Sequence, residues 1–486
     1  MNRIFSQLQT SKLLFVGLTL AIVYSSSAPV HAQLVQISKD NFHNAASQHK
    51  SEVEPDSYSW GTTMVAAFQV ARIHDGGGAD LGFATTKDSG KTWTFGYLPG
   101  LTNNYKGGSF SAASDASVVY DAKHGQWLIS SLPIGNTGND IYVSRSADGI
   151  HWGKPIPVDK SGGDDKNWIT CDNTASSPFY GNCYSEWSGV FMSTSTDGGL
   201  TWGPPKTSSD FASGTGAEPL VLPNGTAVVP FLGGAMEAFS STNGGKSWGP
   251  TVTISQVNTF QGNSSLRSVG LPFPSTGIDK AGKLYVVWSD CSFRSGCSTN
   301  DLVMSTSTDG KKWSKVVRIP IDPLSSTVDH FIPGLAVDRS TSGNKAHLAV
   351  TYYYYPKADC TDATCEINVG FTTSQDGGKT WTAGKNIAGP MKISWLPGSQ
   401  NGPMLADYLS SSYVSGKAFG AFIVAKPPSG GLLNEAVYTT KNPMEASADE
   451  PRFSSRGEKR IPNIHADRPY PRTQGEERES VPPSQK

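Results

Sequence analysis

Seven side chains recur at comparable places along the chain: Glu54, Asp115, Asp165, Glu218, Asp329 and Asp407, with Arg267 where a further acid would fall. Each stands at or near the start of a short apolar run with strand character. Carboxylates gathered in a ring could do acid–base work on a glycosidic bond, hold sugar hydroxyls, or ligate a hard cation such as calcium. The competing reading is that they cap strand entries and bond to nearby backbone. Polar stretches further along each unit add Arg72, His74, Asp75, Asp80, Asp140, Glu186, Asp290 and Arg294. Trp168, beside Asp164, Asp165 and Lys166, could stack on a sugar ring.

A short string that occurs six times has to position these residues. Its cleanest copy spans residues 195–202 and contains Ser195, Asp197, Gly198, Gly199 and Trp202. The other copies start at Thr86, Ser146, Ser241, Ser307 and Ser374 and end at Trp93, Trp152, Trp248, Trp313 and Trp381. A hydroxyl, an Asp or Asn, glycine and a Trp make a tight turn: the carboxylate caps backbone N–H groups, glycine takes positive φ, and the indole enters a core. Successive tryptophans lie 46 to 68 residues apart, the period of a propeller blade. An acid repeated in every unit cannot converge on one site, so Asp88, Asp148, Asp197, Asp309 and Asp376 are read as fold residues.

The string resembles the Asp-box, or BNR repeat, of the sialidase superfamily. That resemblance spans about residues 52–440 and implies an all-β propeller of four-stranded antiparallel blades. Three further strands after the last copy, closed by residues 33–38, favour seven blades, with six as the alternative because sialidases have six. It also implies a glycan as partner and, for an enzyme, an exo-α-sialidase type of glycoside hydrolase. Sialidases use a Tyr nucleophile with a Glu partner, an Asp acid/base, and three arginines around the sugar carboxylate. Laid over this pattern, Tyr408 stands at the nucleophile position, Glu218 in Gly216, Ala217, Glu218, Pro219 at that of its partner, and Asp75 (or Asp80) at that of the acid/base. The arginines match less well. Val53, Glu54 and Pro55 replace the first arginine string, and Val228 to Leu232 carry no second one. Arg72, Arg267 and Arg294 are then candidates for a rewired substrate cluster with Asp165 and Trp168. A non-catalytic glycan-binding or protein-interaction propeller is the alternative reading. No cofactor is implied, apart from calcium in the carboxylate ring.

The ends and the cysteines bear on location. Residues 1–32 read as a secretory signal: Arg3 and Lys12 precede an apolar run, with small residues at Val30 and Ala32. The mature chain would carry no membrane anchor and act outside the cell or in the periplasm, as a monomer. Six cysteines form three close pairs, Cys171 with Cys183, Cys291 with Cys297 and Cys360 with Cys365, read as disulfides of an oxidising compartment. A formal net charge of −1 offers no basic footprint for nucleic acid. Residues 33–440 are the propeller, and the polar, mixed-charge stretch 441–486 is expected to be disordered.

Overall fold

The computed structural model describes residues 32–444 and 450–461. Its strands are built from β-branched and aromatic runs such as Leu284–Asp290 and Leu348–Tyr355, which suit a pleated surface buried on both sides. Apolar side chains from neighbouring sheets meet in separate layers rather than in one core. One such layer holds Tyr285, Val287, Leu348, Val350 and Trp381. The first strands of successive units pack side by side in a closed ring, with Ser410–Val414 returning to Glu52–Trp60, and enclose a central channel. The fold is an all-β propeller.

Among the described residues five separate antiparallel blades of three or four strands are present, which corrects the expected count of seven, or six. The strands of the first two units form one nine-stranded sheet, joined where Gly78 pairs with Ala113. Small residues allow that approach: a Cβ on Gly77 would stand 2.8 Å from the Ala113 carbonyl oxygen. The unit of Trp168–Cys171, Cys183–Trp187 and Phe191–Ser195 has only three strands. After Trp202 its chain runs into Pro204 and Pro205, which have no N–H to give a ladder. The strand Leu34–Gln36 shares a sheet with Glu435–Thr440, with Leu34 opposite Thr440 and Gln36 opposite Tyr438.

The six repeated strings form near-identical turns. In the copy at 195–202, Ser195 Oγ donates to Asp197 Oδ1 (2.8 Å), which also accepts the N–H groups of Leu200 and Thr201, both at 3.0 Å. Thr201 Oγ1 donates to Oδ2 at 2.6 Å. The same hydroxyl-to-side-chain bond joins Thr86 with Asp88, Ser146 with Asp148, Ser241 with Asn243, Ser307 with Asp309, and Ser374 with Asp376. Asp197→Ala removes a cap of four bonds and is expected to cost about 1–2 kcal/mol of stability. Thermal melting checks this, and an unchanged midpoint would mean that the backbone alone holds the turn.

All three cysteine pairs are bridged as expected, Cys171–Cys183, Cys291–Cys297 and Cys360–Cys365. Among the described residues no helix is long and apolar enough to cross a membrane. The expected signal at 1–32 lies, but for Ala32, outside the described residues. Part of the expected tail is ordered: Arg452–Phe453 pairs with Trp381–Thr382, Glu458 reaches Arg318, and Arg460 Nη2 donates to Asp290 Oδ2 at 2.8 Å. Charge pairs of this kind fix 450–461 where composition alone reads as free chain.

Candidate functional site in the central channel

Several first strands enter the channel through a local kink. Glu54, Asp115 and Lys166 have positive φ (54°, 47° and 50°), and the ladder slips a register beside Glu54 and Asp115. A bulge of this kind turns a side chain out of the sheet. Gly216 holds the same place in its unit, with φ 62°, a conformation glycine adopts without a Cβ penalty. Counting two residues on from these kinks gives Asp56, Ser117, Trp168 and Glu218. The sequence reading places Asp165 in the ring, and the structure places Lys166 there instead. Asp165 Oδ1 accepts the Lys166 N–H at 2.9 Å. Gly216 carries a sequence signal for this: its two-residue offset from Glu218, transferred to Trp168, selects Lys166.

Lys166 is the hub of a buried ionic cluster. Its Nζ donates to Asp407 and lies 3.7 Å from Glu54 Oε1 and 3.9 Å from Asp115 Oδ1. Arg267 grips Asp407 with Nε at 2.9 Å and Nη2 at 2.7 Å, and Ser268 Oγ adds a third kind of donor. Burial opposes ionisation of Asp407, but Arg267 and Lys166 hold its carboxyl well below the usual range. Burial lifts Glu54 to about 8 despite Lys166, and Asp115 to about 6. Burial also works against the charge on Lys166, and the three carboxylates outweigh it and raise its pKa. At neutral pH Glu54 therefore keeps its proton, and two cations face two carboxylates. The place a calcium ion would take among Glu54, Asp115 and Asp407 is filled by an ammonium group, so these residues do not fit a bound cation.

Beside the cluster lies a cavity of about 20 Å³, lined by Lys166, Asn167, Trp168, Glu218, Phe273 and Tyr408 among others. That is room for about one water molecule. Tyr408 and Glu218 are thus neighbours, but no hydrogen bond joins them. The Tyr408 hydroxyl donates to the Ala116 carbonyl at 3.5 Å, its ring meets Trp168 edge to face at 5.2 Å, and Glu218 Oε2 accepts the Thr276 N–H at 2.7 Å. Burial, with Glu54 and Asp115 adding to it, pushes Tyr408 well above 10, the reverse of what an activated nucleophile needs. Burial likewise raises the Glu218 carboxyl well above the usual carboxylate range, although the Thr276 N–H works the other way. Asp75 stands on an exposed loop paired with His74 at 2.9 Å and lines neither cavity.

The three candidate arginines have different partners. Arg267 belongs to Asp407 as described. Arg294 binds Asp301 and Asp322 at 2.6 and 2.8 Å, in a network that Arg318 shares. Arg72 Nη1 donates to Gln69 Oε1 and to the Gly77 carbonyl, both at 3.1 Å. Sequence spacing cannot show such pairings, since Arg267 and Asp407 lie 140 residues apart. Asp301, Asp322 and His330 are near enough to share a metal ion, but the two guanidinium groups already occupy those carboxylates.

Next to the cluster the channel widens into a chamber of about 640 Å³. Asp56, Trp168 and Glu218 form its inner end, and Ser57, Ser275, Ser410 and Ser412 line its wall. Tyr58, Trp60 and Arg339 stand toward the other end. Burial raises Asp56 to about 7 even though it accepts the Val118 N–H at 2.8 Å. The chamber can offer hydroxyls, aromatic faces and weakly acidic carboxyls to a ligand.

No family model matches the chain, and no curated protein is similar to it. Among solved structures it is similar to a protein of unknown function from Dyadobacter fermentans, at 16% identity over 72% of this chain and 99% of that one, with a TM-score of 0.44. The Hadza microbial sialidase Hz136 is 12% identical over 84% of this chain and 68% of its own, with a TM-score of 0.43. The NanB sialidase from Streptococcus pneumoniae is 14% identical over 87% and 72%, with a TM-score of 0.42.

Proposed function

We propose that this protein is an exported, sialidase-like propeller that binds a glycan in its central channel and does not hydrolyse sialosides. The observation that carries the reading is the state of the arginines. Arg267 is committed to Asp407, Arg294 to Asp301 and Asp322, and Arg72 to Gln69 and Gly77, so none is spare for a triad around a sugar carboxylate. A chamber lined with serine hydroxyls and aromatic rings suits a polyhydroxylated ligand. The six repeated strings are read as Asp-boxes that build the blades, residues 1–32 as the export signal, and the protein as a monomer. Trp168 and Glu218 contact the bound sugar from the inner end.

The test is a dye-linked sialoside assayed beside a glycan-binding screen. The expected outcome is binding without turnover, with Trp168→Ala lowering affinity about tenfold, in line with the ~1–3 kcal/mol that stacking on an aromatic ring supplies in nucleic-acid recognition. A hydrolytic second reading draws on the shared cavity of Tyr408 and Glu218. Turnover abolished by Tyr408→Phe would establish it in place of the first.

A further inference from the structure

The chamber has its mouth on the face of the repeated turns. Its inner end meets the ionic cluster, whose side chains are almost wholly buried: Asp407 is 0% exposed, Glu54 1% and Lys166 12%. Its other end is rimmed by Trp60, Gly61, Arg339, Ser340, Ser415 and Gly416, at the turns that follow the first strands. Ligand therefore enters from the side opposite the one where sequence reasoning sought the chemistry.

Arg339 dominates that mouth. It follows the strand Asp329–Val337 and reaches past the intervening strand Ser410–Val414, where its Nη2 donates to the Ser59 carbonyl. Its guanidinium carbon lies 4.2 Å from the Tyr58 ring centroid and 5.9 Å from that of Trp60. Unlike Arg267 and Arg294, it has no carboxylate partner among the described residues. The adjacent Asp338 is buried, and its Oδ1 accepts the N–H and hydroxyl of Ser340 at 2.9 and 2.7 Å. A guanidinium held by stacking and one backbone bond keeps donors in a fixed fork, the geometry that matches a carboxylate. Trp60, 38% exposed, offers a ring face at the same rim.

We propose that the mouth is a recognition site for the carboxylate of a sugar acid, with Arg339 as its counter-charge and Trp60 as its stacking platform. The inference depends on the glycan-binding reading and adds the ligand's charge and direction of entry. One guanidinium calls for one carboxylate, and the serine wall behind it meets the hydroxyls of the ring.

Titration calorimetry on the full chain, with glucuronate and galacturonate against glucose and galactose, tests the proposal. The acid sugars are expected to bind at least tenfold more tightly. Arg339→Gln is expected to bring the affinity for the acid sugars down to that for the neutral ones, and Arg339→Lys to keep part of the preference. Ser340→Trp, which narrows the mouth without touching the guanidinium, is expected to weaken all four sugars about tenfold; unchanged affinities there would overturn entry from this face. Equal affinity for acidic and neutral sugars, or a preference that survives in Arg339→Gln, overturns the inference and leaves glycan binding standing. If no sugar binds at all, the glycan reading fails and the inference falls with it. Should Arg339→Gln not fold, the Lys variant and the wild-type preference still decide between these outcomes.

Discussion

Asp407→Asn is expected to lower the unfolding free energy by about 3–5 kcal/mol, the largest effect of any single substitution in the channel. The change keeps the side-chain volume but leaves Arg267 and Lys166 facing each other without the carboxylate that both bind. Full burial of that carboxylate means solvent cannot screen the loss. Glu54 provides partial relief: with a net positive neighbourhood its carboxyl gives up the proton that burial makes it keep. The variant should therefore show both a lower urea midpoint and a downward shift in the titration of the cluster. A loss below about 1 kcal/mol would mean that the cluster is hydrated and is no lock on the ring.

Stability is expected to fall as pH rises from about 5 to 8. Glu52 is buried, and desolvation together with Asp40 raises its carboxyl from 4.5 to about 8. A group raised in the folded state contributes its full stability below the unfolded value and loses it as pH climbs through the folded one. A rise of about 3.5 units at ~1.4 kcal/mol each gives roughly 5 kcal/mol for this side chain as an upper figure. Glu54, Glu186 and Glu435 are raised by burial too and act in the same direction. Asp407 has the opposite sign: its lowered pKa contributes stability above about pH 4 that is lost as pH falls further. The optimum should thus lie in weakly acidic solution. Denaturant melts from pH 4 to 9 measure the profile, and Glu52→Gln should flatten its alkaline limb. A profile that is flat from pH 5 to 9 contradicts it.

Local chemistry made much of this fold legible. A hydroxyl, an acid, glycine and Trp specify a turn by themselves, and six copies measured out the units. Close cysteines could be paired on sight, and the strand at residues 33–38 was paired with the chain's other end because a ring has to close. One small feature changes the number of separate blades and another the number of strands in one of them. Gly77 and Gly78 let neighbouring units bond into one sheet, and Pro204 and Pro205 remove a fourth strand. The site was harder to read because it depends on register and on distant partners. One residue of slip exchanges Asp165 for Lys166 and turns an acidic ring into a neutral cluster. Arg267 finds its partner Asp407 only across 140 residues of sequence, and Arg339 lies beyond a first strand, on the face of the repeated turns, where spacing marks no site.

Diffraction from crystals soaked in an acidic oligosaccharide tests the central claim most directly, that the channel is the binding site and is entered from the face of the repeated turns. The account predicts sugar density in the chamber, with a ring against Trp60 and the chain directed toward Trp168. Density confined to the opposite face, near Asp75 and the ionic cluster, would contradict it.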